Sequence, residues 1–252
     1  MTAEPLSTPY ADVADSGEGG MGLYLHVPFC LRKCPYCSFF SVAGGNGRRS
    51  DYIRAVEGQV RRIIESGWME GRRLDTIFVG GGTPSLLAPE QLAGLLTYFR
   101  RHFPMAAEDV ETSVEVNPAT VGLAEQARLR RAGYNRISIG VQSLVDRELR
   151  EIGRPHSAAE AIRTVHEARE AGFANLNMDL MYGLPGQTVA SWEQTLVAAM
   201  ELEPDHLAIY ELTIEEKTPF ARRRRQGNLR LPGEDEVMEM MAVTAARTAQ
   251  AG

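Results

Sequence analysis

RISIGVQ, residues 136–142, alternates strictly: Ile137, Ile139 and Val141 share one side of an extended chain, and Arg136, Ser138, Gly140 and Gln142 share the other. Two other stretches repeat the pattern. In SVEVN (113–117), Val114 and Val116 oppose Ser113, Glu115 and Asn117. In NLNMDL (175–180), Leu176, Met178 and Leu180 oppose Asn175, Asn177 and Asp179. With these cores, six strands are predicted at 22–28, 76–81, 110–117, 136–142, 174–183 and 206–213. Helix-period segments separate them, among them SDYIRAVEGQVRRIIES (50–66), PEQLAGLLTYFRRHF (89–103) and SAAEAIRTVHEAREAG (157–172). Strand–helix alternation implies parallel pairing through right-handed crossovers. An open parallel sheet covered by helices on both faces would show continuously apolar strands. A closed eight-stranded barrel fills its interior mainly with branched apolar side chains. One apolar face and one face that is polar toward the strand ends suit a third arrangement. That is a wide, incomplete barrel whose lumen holds a large polar ligand. A polar face simply open to water is the alternative.

The rest of the composition narrows the class. A chain of 252 residues with 44% hydrophobic content can bury a substantial core. A formal charge of −6 gives no general reason to expect nucleic-acid or membrane binding. No run is long enough for a membrane span, and the N-terminus shows neither the basic start nor the apolar stretch of a secretory signal. The small, acidic, turn-rich opening, residues 1–21, reads as a disordered lead-in. These features predict a cytoplasmic protein.

All three cysteines fall within HVPFCLRKCPYCSFF (26–40), directly after the first strand and therefore at its carboxyl end, where parallel α/β barrels place their chemistry. An odd count in a reducing compartment points to metal or redox chemistry rather than to a disulfide framework. His26, Cys30, Cys34 and Cys37 could close a four-ligand zinc site. His26, however, shares strand parity with Tyr24, well inside the strand, and zinc modules normally pair ligands from two separated knuckles. An iron–sulfur cluster on three thiolates is the other reading. A four-iron cluster needs four ligands, so one iron would stay open to a small molecule.

CLRKCPYC is a C-x-x-x-C-x-x-C motif and resembles the signature of the radical S-adenosylmethionine (SAM) superfamily. YLHVPFC, FVGGGTPS, SVEVNP, RISIGVQS, NMDLMYGLPGQT and YELTIEEKTPFA are similar, in order, to the branch that holds oxygen-independent coproporphyrinogen III oxidase and the HemW heme chaperones. The resemblance covers residues 22 to about 245. It implies a partial (β/α)6, TIM-like radical SAM barrel. It also implies a [4Fe-4S] cluster on Cys30, Cys34 and Cys37, with SAM chelating the open iron through its amino and carboxylate groups. An electron from the cluster then cleaves the sulfonium to a 5′-deoxyadenosyl radical. Expected partners are heme or a porphyrin, a heme-acceptor protein and an electron donor such as flavodoxin or ferredoxin.

Family resemblance places Tyr24, Glu115, Gln142, Arg154 and Asp179 around SAM, and Gly81, Gly82 and Thr83 at its methionyl end. The residues themselves allow these roles. Glycines let a backbone approach a ligand, a carboxylate accepts from ribose hydroxyls or an ammonium, and a guanidinium forks onto a carboxylate. Each could equally be a turn, a cap or a structural ion pair. Tyr36, between two cysteines, is a candidate to stack on a second ligand or to pack within the loop. No catalytic acid or base is assigned. The run Arg222 to Arg225 reads as a solvated face, and Met238, Met240 and Met241 as core filler.

Two departures bear on function. The oxidase carries a fourth cysteine two positions after the third, where this chain has Phe39. That form is the one found in the chaperone branch and favours a heme chaperone over the oxidase, leaving open whether the chain is an enzyme. Residues 22–233 are expected to form the barrel core. Residues 234–252 then start a truncated C-terminal helical region, the part that carries the heme-binding histidine segment in the chaperones, so heme binding is expected only of a full-length form.

Overall fold

A computed structural model describes residues 21–44, 46–118 and 120–251. Six parallel strands form one sheet in sequential order: β1 (Met21–Val27), β2 (Leu74–Gly81), β3 (Glu111–Val116), β4 (Arg136–Gln142), β5 (Asn175–Tyr182) and β6 (His206–Glu211). Helices α1 (Arg49–Glu65), α2 (Pro89–His102), α3 (Leu123–Ala132), α4 (Asp146–Glu151), α5 (Ala158–Glu170), α6 (Val189–Met200), α7 (Pro219–Arg225) and α8 (Glu234–Ala251) complete the chain. The predicted strands all form, with ends displaced by one or two residues. Met21 opens β1 rather than closing the lead-in, and its amide donates to the Asp75 carboxylate at 2.6 Å. The remainder of the predicted disordered lead-in lies outside the described residues.

Alternation along the strands builds two different layers. Val114, Ile137, Ile139, Val141, Leu176, Met178 and Leu180 are buried against the helical layer, which contributes Leu92, Leu96, Phe99, Leu129, Val165, Trp192 and Leu196. Full burial of such a side chain contributes on the order of 1.5–3 kcal/mol, so this layer supplies most of the driving force. The opposite face is polar and satisfied within itself at its floor. Asn177 Nδ2 donates to Ser138 Oγ at 2.7 Å and to Asp179 Oδ1 at 2.6 Å, and Ser138 Oγ donates to Asp179 Oδ1 at 3.1 Å. The alternation that suggested a ligand-filled lumen therefore has two causes, a hydrogen-bonded floor and a cavity above it.

Local chemistry sets the helix starts and stops. Ser157 Oγ accepts the Glu160 amide at 3.2 Å while the Glu160 carboxylate accepts the Ser157 amide at 2.8 Å, a reciprocal cap for α5. Thr188 Oγ1 caps α6 by accepting from the Ser191 amide at 3.2 Å. The C-terminal helix α8 packs on α6: Trp192 Nε1 donates to Thr244 Oγ1 at 2.9 Å, and Arg247 pairs with Glu193 at 2.5 Å. Met240 is buried there, whereas Met238 and Met241 are exposed, so only one of the three methionines is core filler. In the arginine run, Arg223 pairs with Glu151 at 2.5 Å and the other three are exposed.

Candidate metal and nucleotide centre

The cysteine loop is held from several sides. Immediately after β1, Phe29–Cys30 pairs with Val42–Ala43 in a two-residue parallel ladder, which closes the loop at its base. The Cys37 amide donates to the Cys34 carbonyl at 3.1 Å, a tight turn that brings these two thiols to the same side. Farther out, the Phe220 amide of α7 donates to the Pro35 carbonyl at 3.0 Å, Arg32 donates to the Arg154 carbonyl at 2.8 Å, and Lys33 Nζ donates to the Phe39 carbonyl at 3.0 Å. His26 Nε2 donates to the Phe40 carbonyl at 2.8 Å, which leaves Nδ1 as acceptor for the Tyr24 hydroxyl at 3.3 Å.

A cavity of about 560 Å³ opens between this loop and the carboxyl ends of the strands. Cys30, Cys34 and Cys37 line it, together with Tyr36, Gly81, Gly82, Thr83, Glu115, Gln142, Arg154 and Asp179. Tyr24 does not. It stands outside the lining, 59% exposed, with its ring 6.0 Å from that of Phe78, yet beside the group: burial and then the Glu115 charge raise its hydroxyl above the ordinary tyrosine value. His26 also lies outside the lining, which removes the fourth ligand of the zinc reading. Among the described residues, no three His, Cys, Asp or Glu side chains converge closely enough to hold a single metal ion. Thiols that share one cavity without sharing one point suit a multi-iron cluster, whose irons each take their own thiolate.

The cavity's electrostatics are lopsided. Burial, followed by the neighbouring Asp179, raises the Glu115 carboxyl to about 7 against the Gly81 amide that holds it down. Burial also raises Asp179, opposed by hydrogen bonds from Asn177 and Ser138 and by the Arg154 and Arg136 charges. Two carboxyls with raised pKa facing one cavity favour a cationic ligand. Arg154 is the counterweight: burial works against its charge, but Tyr36 and Cys34 raise its pKa above the ordinary arginine value. Its Nε is buried with no hydrogen-bond partner, a donor suited to a ligand carboxylate. Burial pushes the Cys37 thiol up, the cost a soft metal offsets by taking it as thiolate.

Sequence reading missed Asn117 and Tyr210. Asn117 Nδ2 donates to Thr83 Oγ1 at 2.8 Å, and its Oδ1 accepts from Arg154. Tyr210 donates to Gln142 Oε1 at 2.5 Å from the end of β6, two strands away across the lumen side. Strand parity could have found both, since Asn117 follows Ser113 and Glu115 and Tyr210 follows His206 and Ala208 on the lumen side.

Comparison with known proteins agrees with this geometry. The sequence model of the Radical SAM superfamily matches residues 24–199. The heme chaperone HemW of Escherichia coli is 42% identical over 204 residues, covering 81% of this chain and 53% of that protein. HemW of Mycobacterium tuberculosis H37Rv is 38% identical over 234 residues, covering 92% of this chain and 59% of that protein. Among solved structures, the Escherichia coli coproporphyrinogen III oxidase HemN, a radical SAM enzyme, superposes with a TM-score of 0.83 at 31% identity, over 95% of this chain and 54% of that one. The chain thus spans between half and two thirds of the length of these relatives.

Proposed function

Because the chain belongs to the radical SAM superfamily, we propose that Cys30, Cys34 and Cys37 hold a [4Fe-4S] cluster beside bound SAM and that the protein acts in heme handling as a chaperone of the HemW type. The observation that carries the site is the shared cavity: three thiols on one wall, and Glu115, Gln142, Asp179 and the orphaned Nε of Arg154 on the others. Cys30, Cys34 and Cys37 would hold the cluster, which would supply low-potential electrons beside bound SAM. The chain's own residues do the rest. Arg154 pairs with the carboxylate of SAM, Glu115 accepts from its ribose hydroxyls or ammonium, and Gly81 and Gly82 let the methionyl end approach the backbone. Asp179, fixed by Ser138 and Asn177, adds negative charge toward a cationic ligand. Tyr36 lines the cavity beside Cys37, with its ring centroid 6.2 Å from that of Phe220.

Chaperone is favoured over oxidase by Phe39. It lines the cavity mouth at the position where the oxidase carries its extra cysteine, and it offers a 64% exposed ring and no thiol. The relatives named heme chaperones support the same reading. Heme would then pass to an acceptor protein, with a flavodoxin- or ferredoxin-like protein supplying electrons, in the cytoplasm. Among the described residues, no helix is long and apolar enough to cross a membrane.

Anaerobic reconstitution tests the site. About four irons per chain and thiolate-to-iron absorption that fades on reduction are expected, and alanine at any of the three cysteines should abolish both. A colourless protein holding one zinc would refute the site. Function is tested with SAM, a strong reductant and coproporphyrinogen III, on this chain and on a form extended to the length of the relatives. Heme binding without a divinyl product is expected; multiple turnovers to protoporphyrinogen IX would replace the chaperone by the oxidase.

A further inference from the structure

Two of the three cysteine sulfurs have a side-chain donor beside them, and both donors meet at one side chain; the third, Cys37, takes the Phe39 backbone amide. Thr83 Oγ1 lies 3.8 Å from Cys30 Sγ, and an Arg154 terminal nitrogen lies 3.9 Å from Cys34 Sγ. Asn117, one residue past β3, touches both: its Nδ2 donates to Thr83 Oγ1 at 2.8 Å, and its Oδ1 accepts from the other Arg154 terminal nitrogen. The orientation of the amide is fixed by chemistry. Arginine has only donors, so the oxygen must face it, and the amide nitrogen then faces the threonine. That donation occupies a lone pair of the Thr83 hydroxyl and leaves its proton to aim at the sulfur.

The strand beneath is shaped for this arrangement. The Gly140 carbonyl accepts from the same Arg154 nitrogen at 2.8 Å. A Cβ on Gly140 would stand 2.8 Å from Asn117 Oδ1 and 3.1 Å from that nitrogen, so only glycine leaves room for the pair.

We infer that Asn117 is a positioning residue that sets the reduction potential of the cluster by aiming Thr83 at the Cys30 sulfur and Arg154 at the Cys34 sulfur. The inference rests on the reading that these thiols hold the cluster. Reduction adds one electron to the cluster and makes its sulfurs better acceptors, so donors aimed at them stabilise the reduced form and raise the potential. Asn117 touches no sulfur itself. It acts through the two residues it holds.

The test is potentiometric titration of the reconstituted protein, followed by electron paramagnetic resonance. In Asn117→Ala, the ratio of reduced to oxidised cluster at a fixed potential should fall about tenfold, the scale of one hydrogen bond to a charged group. That fall is a shift of about 59 mV to more negative potential for a one-electron couple. Asn117→Asp separates the arms. A carboxylate still accepts from Arg154 but draws the Thr83 proton away from Cys30, so it should shift the potential in the same direction. Thr83→Val should match it, and Thr83→Ser, which keeps the hydroxyl, should restore the wild-type value. Because Thr83 variants leave Asn117 intact, they decide the matter if Asn117→Ala does not fold. Wild-type potential in Asn117→Asp and Thr83→Val at full iron content would overturn the inference while leaving the cluster in place. Failure of the wild type to take up iron would overturn both.

Discussion

The amide of Gly81, the last residue of β2, donates to Glu115 Oε2 on β3 at 3.0 Å. Gly81 has φ of 113°, open to glycine and strained for other residues, and this turn of the backbone aims the amide at the carboxylate. One hydrogen bond does not overcome the surroundings: burial and Asp179 still keep the carboxyl protonated up to about pH 7.

A pH dependence of ligand binding follows. A cationic ligand such as SAM is held best by ionised Glu115, and its charge favours that form. Affinity should therefore be full above pH 7 and fall as pH drops through it, by at most about tenfold per pH unit. Calorimetric titration of the holoprotein at pH 6 and pH 8 measures this, and Glu115→Gln should flatten the profile. The same shift acts on folding with a definite sign. The folded carboxyl keeps its proton to about 7 and the unfolded one loses it near 4.5, so this contribution to stability is full below 4.5 and lost as pH rises through about 7.

Two glycines should respond to alanine in opposite directions. A Cβ on Gly82 would lie 2.7 Å from the Phe29 carbonyl oxygen and 3.0 Å from that of Val27, both backbone atoms of the strand and loop that deliver Cys30. Gly82→Ala should cost about 1–3 kcal/mol, the usual scale of overpacking. Gly94 sits exposed inside α2 with nothing near its missing Cβ, and Gly94→Ala should stabilise by about 0.5–1 kcal/mol. Thermal denaturation of the two variants in parallel checks both signs.

Much of this was legible before the fold was seen, because the period of two in RISIGVQ and its neighbours assigns residues to faces without knowing what covers them. Parity puts Glu115, Gln142 and Asp179 on polar strand faces, the cysteines follow the end of the first strand, and family resemblance groups the six; all line one cavity. Parity does not report height along the barrel. Ser138 and Asn177 share a face with Gln142 and Asp179 yet form the floor, while Tyr24 shares the face of its strand and still stands outside the lining. Parity puts Asn117 and Tyr210 on polar faces, but it does not report which polar group satisfies another, so neither is read from sequence as a partner of the site residues.

Glu148 on α4 is the second test of stability. It is 1% exposed, and its carboxylate accepts from Ser143 Oγ at 2.7 Å, Ser191 Oγ at 2.7 Å and Gln187 Nε2 at 3.0 Å. These contacts join α4 to the loop after β5 and to the first turn of α6. Glu148→Ala strips buried donors of their acceptor, each worth on the order of 1–3 kcal/mol. A denaturation midpoint shifted down at unchanged slope is expected, with Glu148→Gln falling between the variant and wild type. An unchanged midpoint in the alanine variant would mean that water replaces the carboxylate.

The end of β4 supplies the last prediction. Gln142 has φ of 68°, and the Ser143 amide donates back to the Val141 carbonyl at 2.9 Å across it, the hydrogen-bond pattern of a γ-turn. For a residue with a Cβ, a left-handed conformation costs roughly 1–2 kcal/mol. The return is position: the turn points Gln142 into the cavity, where Tyr210 donates to its Oε1 at 2.5 Å. Gln142→Ala should keep the strain and lose the contact, whereas Gln142→Gly loses the contact and relieves the strain. The glycine variant should therefore be the more stable of the two by about 1 kcal/mol, although glycine gains freedom in the unfolded chain. Both should bind SAM more weakly than wild type, and Tyr210→Phe should weaken binding at nearly unchanged stability. Equilibrium denaturation paired with SAM titration reads the two effects separately. If the alanine variant proves as stable as the glycine variant, the turn is unstrained and Gln142 is held there by packing alone.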